Sequence, residues 1–428
     1  MHRLKPYPAI VCLTLIVSSV VVFAQIDTAA WVVWTRQNHF PVRSIVATPN
    51  DDFADLQFLK TVIGNRRVVQ LGESGHGVAE FDSAKVRLIQ FFHEQMGFDV
   101  MAFESSIYEC FAANTAANSA SMLRGSIFAV WATEEVLPLF TYIQSTQDTE
   151  HPVILAGFDT QISSASGVAE RPAFLRRIVA AVDADYADEV AAFDADFILR
   201  SRGIPSRFDA SEAFYERLDT FLRDNRDRLA ETFPGDPAPL IAERAAFSMV
   251  RFIRQLRATA ARPNDTGPES GGAIRDAGMA ENLTVLARDL YPDRKVLVWA
   301  HNFHIRHANA STASRQRTMG EFIAERFRPE LYTIGLYMNQ GTAAQNDRSI
   351  YVIRPAPAES MEWVLASAGP SALFVDFLHQ TEEPGNAWMF QEITTREWGT
   401  SALPLVPRDQ YDGVLLIDRV TSPIYLRF

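Results

Sequence analysis

VVQLGESGHG, residues 68–77, begins as a buried strand and ends with reactive side chains among glycines. The apolar run Val68–Leu71 has the length and composition of a strand in a buried parallel sheet. Glu73 and His76 follow it, three residues apart. The glycines beside the histidine predict a tight turn that exposes the imidazole and lets a ligand approach closely. The stretch therefore predicts a strand that serves as a rigid mount for functional groups.

Six further apolar runs have the composition of strands that are buried on both faces. They span residues 100–103, 153–157, 295–300, 332–337, 371–377 and 413–417. Between the first two runs of the chain, an apolar stripe at helical spacing ends near Gly97, which completes a strand-helix-strand unit. Such units form parallel sheets with right-handed crossovers. We therefore expect an α/β fold, a mostly parallel sheet flanked by helices.

The middle of the chain, about residues 172–262, has a different character. Ala, Arg, Glu, Asp and Phe recur there at helical spacing, with interruptions at Pro205, Pro234 and Pro237. We interpret this segment as a helical insertion within a single domain that spans residues 25–428. We expect the insertion to cover the rim of the active site.

Residues 1–24 have the pattern of a secretory signal peptide. Arg3 and Lys5 precede an apolar run that ends in Val-Phe-Ala, so we expect cleavage after Ala24 and a secreted or periplasmic protein. An uncleaved membrane anchor is the alternative, although the run is shorter than the roughly 20 residues of a bilayer span. Only Cys110 lies beyond this segment. An intramolecular disulfide in the mature chain is therefore excluded.

The charge and composition of the chain disfavour some classes of binding partner. The chain has a formal net charge of −12, which makes it unsuited to nucleic acid and, once the signal is cleaved, to anionic membrane surfaces. Its hydrophobic content of 47% supports a large core. We expect a small-molecule partner, and the sequence leaves the oligomeric state open.

Ionisable side chains follow four of the predicted strands, at the ends where open α/β sheets bind their ligands. In chain order they are Glu73 and His76, Glu104, Asp159, and His301 with His304, accompanied by Ser74 and Asn302. Removing this many ionisable side chains from water would cost free energy unless they bind a ligand. We therefore expect one common site, in which Asp159 belongs to the supporting residues and orients a histidine.

Three functions fit this set of side chains. A histidine with carboxylate neighbours can take a proton from water, which then attacks an ester or lactone. Alternatively, Glu73, His76, Glu104, His301 and His304 could bind a divalent metal for hydrolysis of another bond, such as a peptide or phosphoester. A binding protein without turnover is the third alternative. A serine hydrolase is disfavoured, because the chain has no Gly-x-Ser-x-Gly motif.

With these residues identified, the chain resembles the erythromycin esterase family over nearly its whole length beyond the signal. The similar segments occur in the family's order and are VVQLGESGHGVAEF (68–81), MAFE (101–104), ILAGFDTQ (154–161), RDAGMAENL (275–283) and VLVWAHNFHI (296–305). The resemblance implies that His76 is the base that activates water, supported by Glu73. It also implies that Glu104 is a second active-site carboxylate. By the same resemblance, His301 and His304 position the water and polarise the carbonyl.

A basic residue of the family, on the helix after the first motif, falls at Lys85. Lysine keeps the charge but loses the planar, two-pronged geometry of the arginine in the best-known macrolide esterases. Arg87 lies on the same helix on a different face, and we interpret it as a solvated charge.

The family's activity implies a reaction for this chain. Its members inactivate macrolide antibiotics by hydrolysing the lactone ester. The resemblance thus implies a hydrolase of carboxylic esters or lactones, with a macrolide as one candidate substrate. No cofactor is expected, and the alternative of a divalent metal stays open.

Overall fold

One large sheet organises the computed structural model, which describes residues 28–200 and 208–427. The strands in this part of the chain are β1 (Phe40–Pro41), β2 (Val68–Leu71), β3 (Phe98–Ser106), β4 (Ile154–Asp159), β5 (Lys295–Trp299), β6 (Leu331–Ala344), β7 (Ile350–Ile353), β8 (Ala372–Asp376), β9 (Ile393–Glu397), β10 (Ser401–Leu405) and β11 (Gly413–Val420). The sheet order is β1-β8-β11-β6-β2-β5-β3-β4, with β7 beside β6, and β9 pairs with β10 in a separate hairpin. The central strands, from β11 to β4, run parallel to one another.

Helices precede the first strand and connect the strands that follow. Within the described residues they are α1 (Thr28–Asn38), α2 (Phe58–Ile63), α3 (Ala79–Met96), α4 (Ile107–Ala113), α5 (Ser119–Ser126), α6 (Leu137–Ser145), α7 (Arg171–Val179), α8 (Ala184–Arg200), α9 (Phe208–Asp224), α10 (Arg226–Thr232), α11 (Ala238–Ala261), α12 (Gly271–Val285), α13 (Asn302–Ile305), α14 (Met319–Phe327), α15 (Met361–Ala366) and α16 (Pro407–Gln410). None of the described helices is long and apolar enough to cross a membrane.

Each face of the sheet has its own hydrophobic core, because side chains alternate between the two faces of a strand. Val69 of β2 belongs to the same buried cluster as Ile89 of α3. Its neighbour Val68 belongs to the opposite cluster, which contains Leu283 of α12. Burying an aliphatic side chain of this kind contributes about 1.5–3 kcal/mol. The helices thus hold the central strands from both sides and fix the positions of the strand ends.

The mostly parallel sheet flanked by helices confirms the predicted fold class, and all seven apolar runs lie in strands. The direction of the outer strands was not predicted. β8 pairs antiparallel with β11, and β1 and β7 are also antiparallel to their neighbours. The reason is that a short apolar run identifies a strand but carries no information about its direction.

The segment in which we expect the helical insertion contains α7 to α11. These helices form a separate buried cluster. The insertion packs mainly through α11, which contacts α4 and α12. It therefore lies beside α12, a helix that carries two residues of the site described below. The predicted signal peptide, with its cleavage after Ala24, lies outside the described residues.

Arg87 is buried, so our interpretation of it as a solvated charge is wrong. Its side chain is 2% exposed. The guanidinium donates to Asp51 at 2.6 Å, to Asp55 at 2.7 Å and to the carbonyl oxygen of Ser44 at 2.6 Å. The segment that precedes α2 thus covers a helix face that sequence spacing alone would leave in solvent.

Replacing Arg87 tests the importance of this contact. We expect Arg87→Gln to lower the free energy of unfolding by about 3–5 kcal/mol, because two nearly buried carboxylates lose their counter-charge. Arg43 is a matched control, since it pairs with the same two aspartates but is 55% exposed. Arg43→Gln should change stability little, because solvent screens the charge of an exposed ion pair. Urea unfolding measures both, and equal losses in the two variants would contradict the assignment.

Candidate active site

The sheet order places β2, β5 and β3 side by side, which brings their reactive ends together. The rings of His76 and His301 have centroids 4.9 Å apart. Glu104 accepts the backbone N–H of His301 at 2.9 Å, and its other oxygen lies 3.3 Å from Nε2 of His304. Glu73 contacts His76 directly. The five residues that we expect to be catalytic therefore form one continuous cluster.

Glu73 is completely buried and accepts three side-chain hydrogen bonds. Its Oε1 accepts Nδ1–H of His76 at 2.6 Å and Nε1–H of Trp131 at 2.9 Å, while Oε2 accepts from Lys85 at 2.5 Å. Burial lowers the pKa of Lys85, and the negative charge of Glu73 opposes that shift. Because donors occupy both oxygens, Glu73 is placed to orient His76 and not to take a proton itself.

The contact with Glu73 determines which nitrogen His76 presents to the site. Since Nδ1 donates its proton to the carboxylate, Nε2 of the neutral ring is an acceptor. This Nε2 has no hydrogen-bond partner within the described chain, and the side chain is 14% exposed. The rings of Trp131 and Trp398 contact the imidazole at centroid distances of 5.0 and 5.5 Å. A carboxylate that fixes the tautomer of an imidazole in this way would leave Nε2 able to accept a proton.

His301 has the opposite tautomer. Its Nδ1 accepts the backbone N–H of Phe303 at 3.1 Å, so the neutral ring carries its proton on Nε2. That nitrogen is buried without a hydrogen-bond partner among the described residues, and Oε2 of Glu397 is 3.9 Å away. Burial, together with His76, lowers the pKa of His301 well below its usual value and keeps the ring neutral. His301 thus carries an uncommitted N–H donor on the ring next to that of His76.

Glu104 joins His301 to a second group of charges. Besides the backbone N–H of His301, it accepts a hydrogen bond from Arg275 of α12 at 2.7 Å. Burial opposes ionisation of this carboxyl, but the charges of His304 and Arg275 hold its pKa well below the usual range. Glu104 is therefore an ionised carboxylate with both oxygens engaged.

His304 has contacts at both ring nitrogens. Nδ1 lies 2.8 Å from Asp276, and Nε2 lies 3.3 Å from Glu104 but also 3.2 Å from Nη1 of Arg275. Nε2 cannot both donate to the carboxylate and accept from the guanidinium. Although burial opposes the charge, Asp276 and Glu104 raise the pKa of His304 to about 10. We therefore assign an imidazolium that donates to both carboxylates, and this residue has no ring nitrogen left for substrate.

Asp159 does not contact a histidine, which differs from our expectation. It is buried and binds Arg275 in two-pronged fashion, at 3.2 and 2.5 Å. The carboxylate that orients His304 is Asp276, which sequence analysis did not assign. Arg275 and Asp276 begin the segment RDAGMAENL, which is one of the segments similar to the family, so the sequence did contain a signal for these two residues. Nothing local indicated that an adjacent Arg-Asp pair on a helix would face the strand ends.

Asn302 and Ser74 connect the loops that carry the histidines. Asn302 donates its backbone N–H to the carbonyl oxygen of Glu73 and its side-chain amide to that of Leu336. Ser74 donates its backbone N–H to the same Leu336 oxygen. A Cβ at Gly72 would lie 2.0 Å from Oδ1 of Asn302, so only glycine leaves room for this amide. Both predicted supporting residues thus fix the geometry of the loops.

The glycine that follows His76 has a different role from the predicted one. We expect it to let a ligand approach, but it admits the backbone of β6. A Cβ at Gly77 would lie 2.2 Å from the carbonyl oxygen of Ala344, which is paired with Gly77 in an isolated bridge. The space is therefore filled by the chain's own strand.

The tip of the β9–β10 hairpin forms one wall of the site, and sequence analysis did not anticipate it. Trp398 has a left-handed backbone, with φ of 56°, and donates its N–H to the carbonyl oxygen of Ser74. Its ring stacks on His301 with centroids 5.5 Å apart. The preceding Glu397 is paired with the buried Arg306. Gly399 also has positive φ, 66°, and Thr400 donates its N–H to the carbonyl oxygen of Glu397, so the turn that closes the hairpin accounts for this backbone conformation.

The side chains of this cluster do not fit a metal site. No group of three or more His, Cys, Asp or Glu side chains in residues 28–200 and 208–427 is arranged to hold an ion. Oxygens of Glu73 and Glu104 already accept from Lys85 and Arg275, cations that a metal would have to displace. The donor set fits hydrogen-bonded proton transfer better than metal ligation.

Comparison with known proteins identifies the family. The family model described as erythromycin esterase matches residues 93–420. The chain belongs to the erythromycin esterase family. It is 30% identical to a putative hydrolase, YbfO, of Bacillus subtilis, over 98% of this chain and 97% of that protein. This membership classes the chain as a hydrolase.

Two solved structures share the fold of this family member. A protein from Bacillus cereus superposes with a TM-score of 0.76 at 17% identity and covers 94% of this chain and 100% of its own. A point mutant of the erythromycin esterase EreC, in its open conformation, gives a TM-score of 0.69 at 16% identity, covering 91% and 100%. At these identities the similarity concerns the fold.

The protonation states assigned above can be measured by nitrogen-15 NMR of labelled histidines. Near pH 8 we expect His304 to carry two ring protons and His301 one, on Nε2. The pKa of His304, about 10, lies above the usual 6.5. Its stabilising contribution should therefore be full below about pH 6.5 and be lost as the pH rises through about 10. The His304→Asn variant identifies the resonances of His304, because they are absent from its spectrum. A neutral His304 at pH 8 would show that Nε2 accepts a hydrogen bond from Arg275 instead.

Proposed function

We propose that this chain is an esterase that hydrolyses a carboxylic ester or lactone with a water molecule activated by His76. One observation carries the proposal, namely the opposite tautomers of two adjacent histidines. Nε2 of His76 is an acceptor, Nε2 of His301 is a donor, and the ring centroids are 4.9 Å apart. Direct attack of water on an ester needs these two functions, a base for the water and a donor for the carbonyl oxygen.

In the proposed reaction, water gives a proton to Nε2 of His76 as its oxygen forms a bond to the carbonyl carbon. The carbonyl oxygen becomes negative and accepts the Nε2–H of His301. Glu73 stabilises the imidazolium of His76 until the intermediate collapses. The bond to the leaving oxygen then breaks, and that oxygen takes the proton from His76. The products are a carboxylic acid and an alcohol, which remain joined when the substrate is a lactone.

Glu104 and His304 act as positioning residues in this reaction. Glu104 holds the backbone N–H of His301, and His304 and Arg275 hold Glu104 in turn. Asp159 pairs with Arg275 and Asp276 pairs with His304, so each charge of this group already has a partner. It therefore fixes the donor without competing for the substrate.

The proposed substrate is a small-molecule ester or lactone, and a macrolide is one candidate. Trp398, whose partly exposed ring stacks on His301, provides apolar surface beside the two histidines, which suits a bulky, largely apolar ligand. Lys85, which replaces an arginine of the macrolide esterases, lies fully buried behind Glu73. A lysine instead of an arginine at this position therefore does not alter the surface that would contact the substrate. We also propose that residues 1–24 export the enzyme, so that it acts in the periplasm or outside the cell.

Substitution of the base tests the proposed mechanism. We expect His76→Ala to lower kcat for an ester by about 10²- to 10⁴-fold, the range of a general base. Glu73→Gln and Glu104→Gln should each lower kcat severely while the protein stays folded at the assay temperature, although Glu73→Gln should also lower the thermal unfolding midpoint because the buried Lys85 loses its counter-charge. Hydrolysis of a panel of esters and macrolides, measured with purified protein, provides the readout. Loss of activity only through unfolding would contradict these roles.

Chelation separates this proposal from its two alternatives. Activity that survives exhaustive chelation but is lost in His76→Ala supports metal-independent ester hydrolysis. Activity that returns only with added metal would favour a metal-dependent hydrolase of another bond. Ligand binding without turnover across the whole panel would favour a binding protein.

The donor role of His301 can be tested with a matched pair of substitutions. Asparagine retains an acceptor for the backbone N–H of Phe303 but lacks a distal N–H, whereas glutamine places an N–H close to the position of Nε2. We expect His301→Asn to lower kcat by about 10²- to 10³-fold with little change in KM, as for loss of an oxyanion donor. His301→Gln should recover part of that loss. Equal activities in the two variants would contradict the role.

A further inference from the structure

A second cleft lies in the helical insertion, between α9, α11 and α12. It has a volume of about 510 Å³. Its polar lining consists of Arg223, Arg244, Arg251, Arg254, Glu216, Asp219, Thr220 and Glu281. It shares no lining residue with the cluster of Glu73, His76 and His301. The cleft therefore needs an explanation separate from the proposed reaction.

Arg244 is the unusual residue of this cleft. It is only 7% exposed, yet within residues 28–200 and 208–427 its guanidinium makes no ion pair with a carboxylate. Its Nε and Nη2 both donate to Oδ1 of Asn282, at 3.0 and 2.8 Å. Burial lowers the pKa of Arg244 to about 10. The charges of Glu243 and Glu281 oppose that shift, but neither forms an ion pair with the guanidinium. A buried cation without a direct counter-charge is costly, and such groups are normally paired with an anion.

The position of this guanidinium is rigid. Asn282 is completely buried, and its amide donates to the carbonyl oxygen of Phe158 and to the hydroxyl of Ser248, both at 3.0 Å. The guanidinium also lies over the ring of Phe247, 3.7 Å from its centroid. Contacts of this kind hold a binding group in one orientation before the ligand arrives.

The other arginines of the cleft are already paired. Arg251 binds Glu281 at 2.8 Å and Arg254 binds Glu216 at 2.6 Å. Arg223 binds Asp219. Arg254 also binds Glu212, outside the lining, at 2.7 Å, so each of these three arginines has a carboxylate partner, whereas Arg244 has none among the described residues. One positive charge, that of Arg244, is left for a ligand.

We propose that this cleft binds a small oxyanion, the phosphate or carboxylate group of a small molecule, with Arg244 as its principal contact. Guanidinium groups bind both kinds of oxyanion through paired, charge-assisted hydrogen bonds. Bound there, the anion supplies the counter-charge that Arg244 lacks. The site is independent of the proposed ester hydrolysis.

Isothermal titration calorimetry of the full chain tests the proposal, with sodium phosphate and sodium acetate as separate probes and sodium chloride to keep the ionic strength constant. We expect saturable binding of one ion of at least one probe, and the stronger of the two identifies the preferred oxyanion. Arg244→Met should weaken that binding by roughly tenfold or more, the loss expected for charge-assisted hydrogen bonds. Arg223→Gln, an exposed position, should also weaken it, because Asp219 is then unpaired.

Arg228→Gln is the matched control, since Arg228 is an exposed arginine of the same insertion that does not line the cleft. It should bind the anion as the wild type does. Circular dichroism checks that each variant is folded. If Arg244→Met is unfolded, the affinity of Arg223→Gln decides the test instead. Absence of saturable binding to either probe, or equal weakening in Arg228→Gln, would overturn the proposal. So would unchanged affinity in a folded Arg244→Met.

Discussion

The buried carboxylate of Glu73 is the constraint on which the rest of the site depends. A charge without exposure to water is tolerated only where counter-charge and hydrogen bonds replace hydration. Lys85 supplies the counter-charge, and Trp131 and His76 supply the remaining donors. The contacts that make the charge tolerable are also the contacts that fix the imidazole. Stability and orientation at the base therefore have one physical cause.

On the other side of the cluster, the buried carboxylate of Glu104 has counter-charges in the same way. The imidazoles of His76 and His301 lie between these two charged groups. Glu104 forms ion pairs with His304 and Arg275, as Glu73 does with Lys85. Between them lie His76 and His301, each with one ring nitrogen engaged and the other uncommitted. The chemistry that we propose uses these two nitrogens, because every other polar group of the cluster already has a partner.

The side chains at the strand ends could be predicted from the sequence, but the side chains that reach the site from elsewhere in the chain could not. The five residues of the cluster follow apolar runs, which are local features. Trp398 was missed because a short hairpin has little periodicity and its packing over His301 is a long-range contact. Asp276 was missed, and Asp159 was given the role of orienting a histidine, because the sequence does not show which carboxylate faces which base. Arg87 was misjudged for the same reason, since a distant segment covers its face of α3.

By itself, the sequence determined the α/β class, the seven principal strands and the reactive groups at their ends. These are properties of hydrophobic pattern and of the glycines and polar residues that interrupt it, and they can be read within a few residues. Only the tertiary structure decided which nitrogen each histidine presents and which charge compensates which. The reason is that a tautomer or an ion pair depends on its partner, and the partners here are distant in sequence, as with Glu104 and Arg275, 171 residues apart.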